Sequence, residues 1–337
     1  MDLHLIWFLL FGVLIAGYAI LDGFDLGVGV LHLFTKDETE RRININAIGP
    51  VWDGNEVWLL TGGGALFAAF PPVYATAFSG LYLALMLLLT ALIARAVSME
   101  FRGKVASDKW RRTWDWAFGL GSLLPALLYG VAVGNVLHGL PIDQSGEFVG
   151  TFLGLLNPYA ILIGMLTLVL FTMHGAIYLN LKTEGQQQNR MQIWALRTWI
   201  SFVVLYLLAT LTTVFVSPYL FEGTLQKPLF WIFFLLFLVA LIYVPIAIKR
   251  SPIRAFTASS IAIAGLIGIT AFSMFPKLLP SNIDLAYSLT AYNASSSSRT
   301  LTTMLIIALI GMPFVIFYTV FIYRAFKGKV VLTEESY

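Results

Sequence analysis

The chain has 337 residues, 58% of them hydrophobic and only 12% charged, with a mean hydropathy of +0.82. Soluble domains carry about twice that charge, so a water-facing shell is excluded and lipid is the expected solvent. The net charge of +3 and the lack of cysteine exclude a strongly basic nucleic-acid binder, a disulfide framework and a Cys-ligated metal.

Met1-Asp2-Leu3-His4 runs straight into an apolar stretch with no basic leader, so the first run is read as a retained helix. A crossing needs about 20 apolar residues. Segments of that kind are predicted at roughly 6–33, 54–75, 76–99, 115–137, 155–180, 195–217, 228–248, 255–275 and 301–323. The fold class is therefore all-α: a single polytopic transmembrane domain over 1–337 with nine helices. Leu81–Ala94 and Phe230–Ile242 are apolar on all sides, which excludes the strict alternation of a β-barrel. The second segment is the least regular. It holds Asp53, Glu56 and Gly62 to Gly64, and Phe70-Pro71-Pro72 predicts a tight turn near its end.

Placing the N-terminus outside puts 18 of the 21 Lys and Arg on the cytoplasmic side. Only Lys227, Lys277 and Arg299 remain outside. The positive-inside rule thus predicts a periplasmic N-terminus and a cytoplasmic C-terminus. The outer connection 276–300 reads as an exposed Ser/Asn/Pro loop, with a partly ordered cap over the helix ends as the alternative. Trp194, Trp199, Trp231, Tyr206 and Tyr219 lie near predicted ends and suit the membrane interface.

The polar residues inside the apolar runs carry the chemistry. Asp22 and Asp25 are three apart on the first helix and share a face. Asp22 falls about 24 Å from the outer start, in the cytoplasmic half. Asp53 and Glu56 open the second helix at the same side, and Arg95 and Glu100 lie near the cytoplasmic end of the third. Carboxylates at that depth must face protein or water, pair with a cation, or take up a proton. Spaced acids between water and a buried site suit a proton relay, with Asp25, Asp53 and Glu56 the leading members. A second reading stays open. Asp53 and Glu56 have capping-box spacing, and Asp22 paired with Arg95 would fix helix packing. Asp108 and Asp115 read as solvated or paired loop acids. His174 is a core histidine, with haem ligation or proton transfer as alternatives. Gly23, Gly27, Gly29 and Gly62 to Gly64 read as close-packing positions. Trp58 lines a cavity or packs. Buried acids also fit a proton-coupled transporter, the main rival function, and a purely structural assembly subunit is a third.

The order and spacing of several pieces resemble subunit II of the cytochrome bd and cyanide-insensitive quinol oxidases. These are Asp22-Gly-Phe-Asp25, Glu40-Arg-Arg42, Trp52-Asp-Gly-Asn-Glu-Val-Trp58, Gly64-Ala-Leu-Phe-Ala-Ala-Phe-Pro71, Ala77-Phe-Ser-Gly80, Trp114-Asp-Trp116, Leu156-Asn-Pro158, Met274-Phe-Pro276 and Ala294-Ser-Ser296 before Thr300-Leu301. The resemblance implies a non-haem subunit in a bacterial cytoplasmic-membrane complex that oxidises quinol and reduces O2 to water. It implies haems b558, b595 and d on a partner subunit I, and no haem or metal held firmly here. In this subunit it implies a role in assembly and in completing access routes. Small single-helix accessory subunits and a structural quinone or lipid accompany some relatives. By resemblance Asp25 and Asp53 line a cytoplasmic proton route. Glu56 stands where some relatives have glutamine, Glu100 holds an acid position with Arg95 nearby, and Trp58 lies near a lateral oxygen-access route.

Overall fold

The computed structural model describes residues 2–333. Eleven α-helices follow in order: α1 (Leu3–His32), α2 (Glu38–Ile48), α3 (Trp52–Ala69), α4 (Pro71–Gly80), α5 (Tyr82–Phe101), α6 (Asp108–His138), α7 (Pro158–Lys182), α8 (Gly185–Val216), α9 (Pro228–Arg250), α10 (Pro252–Met274) and α11 (Ser298–Ala325). Eight of them are long and apolar enough to cross a membrane; α2, α3 and α4 are not. The bundle is the expected all-α architecture.

The second and third predicted segments divide elsewhere than at 75/76. Proline has no N–H, and it disfavours α geometry in the residue before it. Phe70 accordingly leaves the helix at φ −134°, ψ 65°, ending α3, and Pro71 and Pro72 start α4. A second break at Leu81 separates α4 from α5. The 34–50 connection also holds an unexpected helix, α2. Asp37 caps it by accepting from the Glu40 N–H (3.0 Å).

α7 lies at the centre, touching α1, α6, α8 and α10. α1 reaches it at glycines. A Cβ on Gly27 would land on the Phe171 carbonyl, and one on Gly175 would meet the backbone of Gly27 and Val28. Gly27→Ala is expected to cost about 1–3 kcal/mol or more through forced separation of the helices. A lowered thermal midpoint of the purified protein would show it. The α3 glycines behave differently. Gly62 and Gly63 meet side chains only at 3.6 and 3.9 Å, and Gly64 faces open space. Close packing within this chain is not their role.

The 276–300 connection is an ordered cap. Lys277–Leu279 (β1) pairs antiparallel with Leu289–Thr290 (β2). The Leu140 N–H donates to Pro280 O (2.9 Å), and the Ser281 hydroxyl donates to Ile142 O (2.7 Å). Ser296 donates from N–H to Ala69 O (2.8 Å) and from its hydroxyl to Ala68 O (2.6 Å). These bonds satisfy carbonyls that α3 leaves open at its C-terminus. Trp199 and Tyr206, expected near the ends of a 195–217 helix, lie on a longer α8. α8 begins at Gly185, so both sit well inside it. Trp199 Nε1 donates to Leu241 O of α9 (2.9 Å), and the Tyr206 ring packs on Phe237 (4.8 Å).

Candidate functional site

Four helices bring polar groups to one buried place. α1 presents Asp22 and Asp25 one turn apart, both fully buried. α5 contributes Arg95, also fully buried. Its Nη2 donates to Asp22 Oδ1 at 2.6 Å and reaches Glu56 Oε2 of α3 at 3.5 Å. A buried ion pair is tolerated only when charge is matched by charge, because desolvating each ion costs several kcal/mol. Asp22 and Arg95 meet that condition, and Glu56 adds a partly exposed second carboxylate. The guanidinium is nonetheless used on one nitrogen only. Among the described residues Arg95 Nε, Arg95 Nη1 and Asp22 Oδ2 have no hydrogen-bond partner.

Asp25 is held differently. Its Oδ2 accepts from Asn55 Nδ2 at 2.7 Å, and its Oδ1 has no partner among the described residues. Asn55 also donates to Leu21 O (3.3 Å) and accepts from the Tyr323 hydroxyl of α11 (3.0 Å). One carboxyl oxygen is therefore fixed by a neutral amide while the other stands open. That geometry can accept and release a proton without breaking an ion pair.

The other sequence candidates fall apart spatially. Asp53 is exposed on α3 and does not cap it. The N-cap position is Val51, without a side-chain cap bond, so the capping-box reading of Asp53 and Glu56 is overturned. Spacing alone missed this because the helix starts at Trp52, one residue before the acid. Glu100 is exposed on the last turn of α5, about a turn and a half beyond Arg95. Trp58 is half-buried and lies across Gly17 of α1, where a Cβ would strike its ring. In this chain it packs the α1–α3 seam.

A second polar cluster was not legible as one. Asp115, read as a solvated or paired loop acid, is paired, but it is neither solvated nor in a loop: it lies in α6 and is 4% exposed. It faces His32 Nε2 (2.7 Å), Arg41 Nη1 (3.0 Å) and Arg102 Nε (2.6 Å). Arg102 also grips Glu38 through two nitrogens, at 3.1 and 2.8 Å. The partners come from α1, α2 and the end of α5. The sole sequence signal was that all of them stood near predicted cytoplasmic ends.

His174 has both ring nitrogens engaged. Nε2 meets Ile20 O at 3.0 Å, which fixes the proton there, and Nδ1 meets the Ser259 hydroxyl at 2.7 Å. Its ring stacks on Phe256 at 4.8 Å. His32 is held at Nε2 by Asp115 and packs edge-on to Phe118. With both ring nitrogens taken, His174 does not fit an axial haem ligand, which corrects that alternative.

The chain matches the family of cytochrome bd terminal oxidase subunit II over residues 3–326. It belongs to that family. It is 36% identical to the cytochrome bd-I ubiquinol oxidase subunit 2 of Escherichia coli K12, covering 99% of this chain and 96% of that one. It is 38% identical to the cytochrome bd ubiquinol oxidase subunit 2 of Bacillus subtilis 168, covering 98% and 97%. A probable cytochrome oxidase subunit 2 of Haemophilus influenzae is 39% identical over 97% and 95%. The fold is similar to the bd oxidase structure from Geobacillus thermodenitrificans, with a TM-score of 0.80, 16% identity and coverage of 97% and 99%. Family membership makes the chain a multi-pass membrane subunit of an oxidoreductase complex and sets aside the stand-alone transporter.

Proposed function

We propose that this chain is the non-haem subunit of a bd-type quinol:oxygen oxidoreductase, and that it forms part of the route by which cytoplasmic protons reach the site of O2 reduction. Haems b558, b595 and d and the quinol site belong to the partner subunit I in this reading. The observation that carries it is the convergence of α1, α3, α5 and α11 on Asp22, Asp25, Glu56, Arg95, Asn55 and Tyr323. Reducing oxygen in a low-dielectric site builds negative charge, and only a nearby proton supply neutralises it cheaply.

The topology has nine crossings. α3 is the ninth, at about 27 Å for its 18 residues, somewhat short of the hydrocarbon core. The N-terminus is periplasmic and the C-terminus cytoplasmic. Arg41, Arg102, Lys182 and Lys329 all gather at the end of the bundle that becomes cytoplasmic. The partner covers the face built by α3, α5 and α11. Leu60 (72%), Phe67 (60%), Leu83 (53%), Phe314 (73%) and Phe317 (74%) are exposed there, and α11 has few contacts with its own chain. Asp53 and Gly64 open onto the same side of α3, so a partner helix seated there would enclose the Asp53 carboxylate.

Asp53→Asn should lower oxygen consumption by roughly ten-fold or more while the complex keeps its haem absorbance, because an amide cannot relay a proton. Turnover at the unsubstituted rate would leave Asp53 with only a favourable position near the α3 N-terminus. Purification tests the wider assignment. A stable partner with b- and d-type haem absorbance is expected, and proton-coupled transport by the lone chain would reject it.

A further inference from the structure

A cavity of about 350 Å³ opens at the cytoplasmic end, between the α2–α3 turn, the last turn of α7 and the segment after α11. Its wall includes Val51, Tyr178, Tyr323, Ala325 and Lys329. The segment 326–331 is tied down as a strap. Lys182 Nζ donates to Phe326 O (2.6 Å), Lys329 Nζ to Thr183 O (2.6 Å) and the Val330 N–H to Lys182 O (2.9 Å). Two of those acceptors are carbonyls at the C-terminus of α7, where the helix leaves them open and a cation is favoured. The strap is therefore held in place by the helix end, and it shapes one side of the mouth.

The opposite side of the cavity leads inward. Tyr323 is both a wall residue and the donor to Asn55 Oδ1 (3.0 Å). Asn55 Nδ2 in turn occupies Asp25 Oδ2 (2.7 Å). Tyr178, also in the wall, stacks at 4.0 Å on Phe24, the residue before Asp25. One side chain thus separates the cavity wall from the buried carboxyl. By accepting at its amide oxygen, Asn55 is oriented with its nitrogen on Asp25, and Asp25 Oδ1 is left open.

We propose that this cavity is the cytoplasmic mouth of the route to Asp25, and that Tyr323 is the positioning residue between them. The proposal rests on the relay reading above. A proton entering the cavity passes behind Tyr323 to Asp25 Oδ1, and the carboxyl later gives it up toward the oxygen-reducing subunit. No bond other than O–H is made or broken in this chain.

The chain has no cysteine, so an introduced one is its only thiol. In the assembled complex, Ala325→Cys would be reacted with a bulky methanethiosulfonate, attachment checked by mass, and oxygen consumption compared with Lys104→Cys treated alike. Labelled Ala325→Cys should turn over about five-fold or more slowly with unchanged haem absorbance, while labelled Lys104→Cys keeps its rate. Tyr323→Phe keeps the ring and removes the donor. It should slow turnover about three-fold or more and raise the solvent isotope effect, which a merely structural loss would not do. A thiol the reagent cannot reach, or labelled complex within about two-fold of the unlabelled rate, overturns the mouth. An unchanged isotope effect in Tyr323→Phe removes that residue's part. Asp25→Asn separates the two levels. Slow Asp25→Asn with a harmless label leaves the relay standing and this entrance wrong; full-rate Asp25→Asn takes both down.

Discussion

Asp25→Asn is expected to slow oxygen consumption by about 10²-fold or more in a complex with normal haem content. The substitution is nearly isosteric. Asparagine can still accept from Asn55 Nδ2, which now meets Oδ2 at 2.7 Å, so the contact between α1 and α3 survives. What disappears is the oxygen that has no partner among the described residues, Oδ1, as a place for a proton. Membrane potential generated by the complex in vesicles should fall in step with oxygen consumption. Glutamate at this position keeps a titratable oxygen and should retain more activity than asparagine. Full turnover by Asp25→Asn would reduce the residue to a helix-packing contact.

Arg95→Met should fail at an earlier stage. Removing the guanidinium leaves Asp22 as a fully buried carboxylate without a cation, and Glu56 loses its nearest positive charge. Breaking one side of a buried pair costs about 3–5 kcal/mol. Less complex should assemble, and haem should be lost in proportion to protein. Asp22→Leu combined with Arg95→Met removes both charges, so assembly should largely return. The pair then separates cleanly from Asp25: one variant is short of complex, the other has normal complex that works slowly. Normal assembly by Arg95→Met alone would show that water or the partner already supports Asp22.

Much of this was legible along the chain. The apolar runs, the asymmetric cations and the break at Phe70-Pro71-Pro72 describe a helical membrane bundle, because those signals are local or sum over the whole sequence. The Asp22–Arg95 pairing was also readable, since one depth in the membrane held both an unpaired acid and a cation. Other features were not. Asp53 looked like a cap because its spacing to Glu56 was right, but the first helical residue was Trp52. The polar start of α8 hid nearly three further helical turns before residue 195. Asp115 looked like a loop acid, although its partners His32, Arg41 and Arg102 come from three separate places in the chain.

By itself the sequence determined the solvent, the helical class, the family pattern and the residue types that carry charge into the bundle. Those depend on hydropathy and on neighbours within a few residues. Only the tertiary structure decided that Asn55 and Tyr323, residues of ordinary appearance, stand against Asp25, and that Asp53 does not. Rotation about each helix axis and the order in which helices pack select which polar atoms meet. No periodicity along one segment records that choice, because it is made by side chains hundreds of residues apart competing for the same buried space.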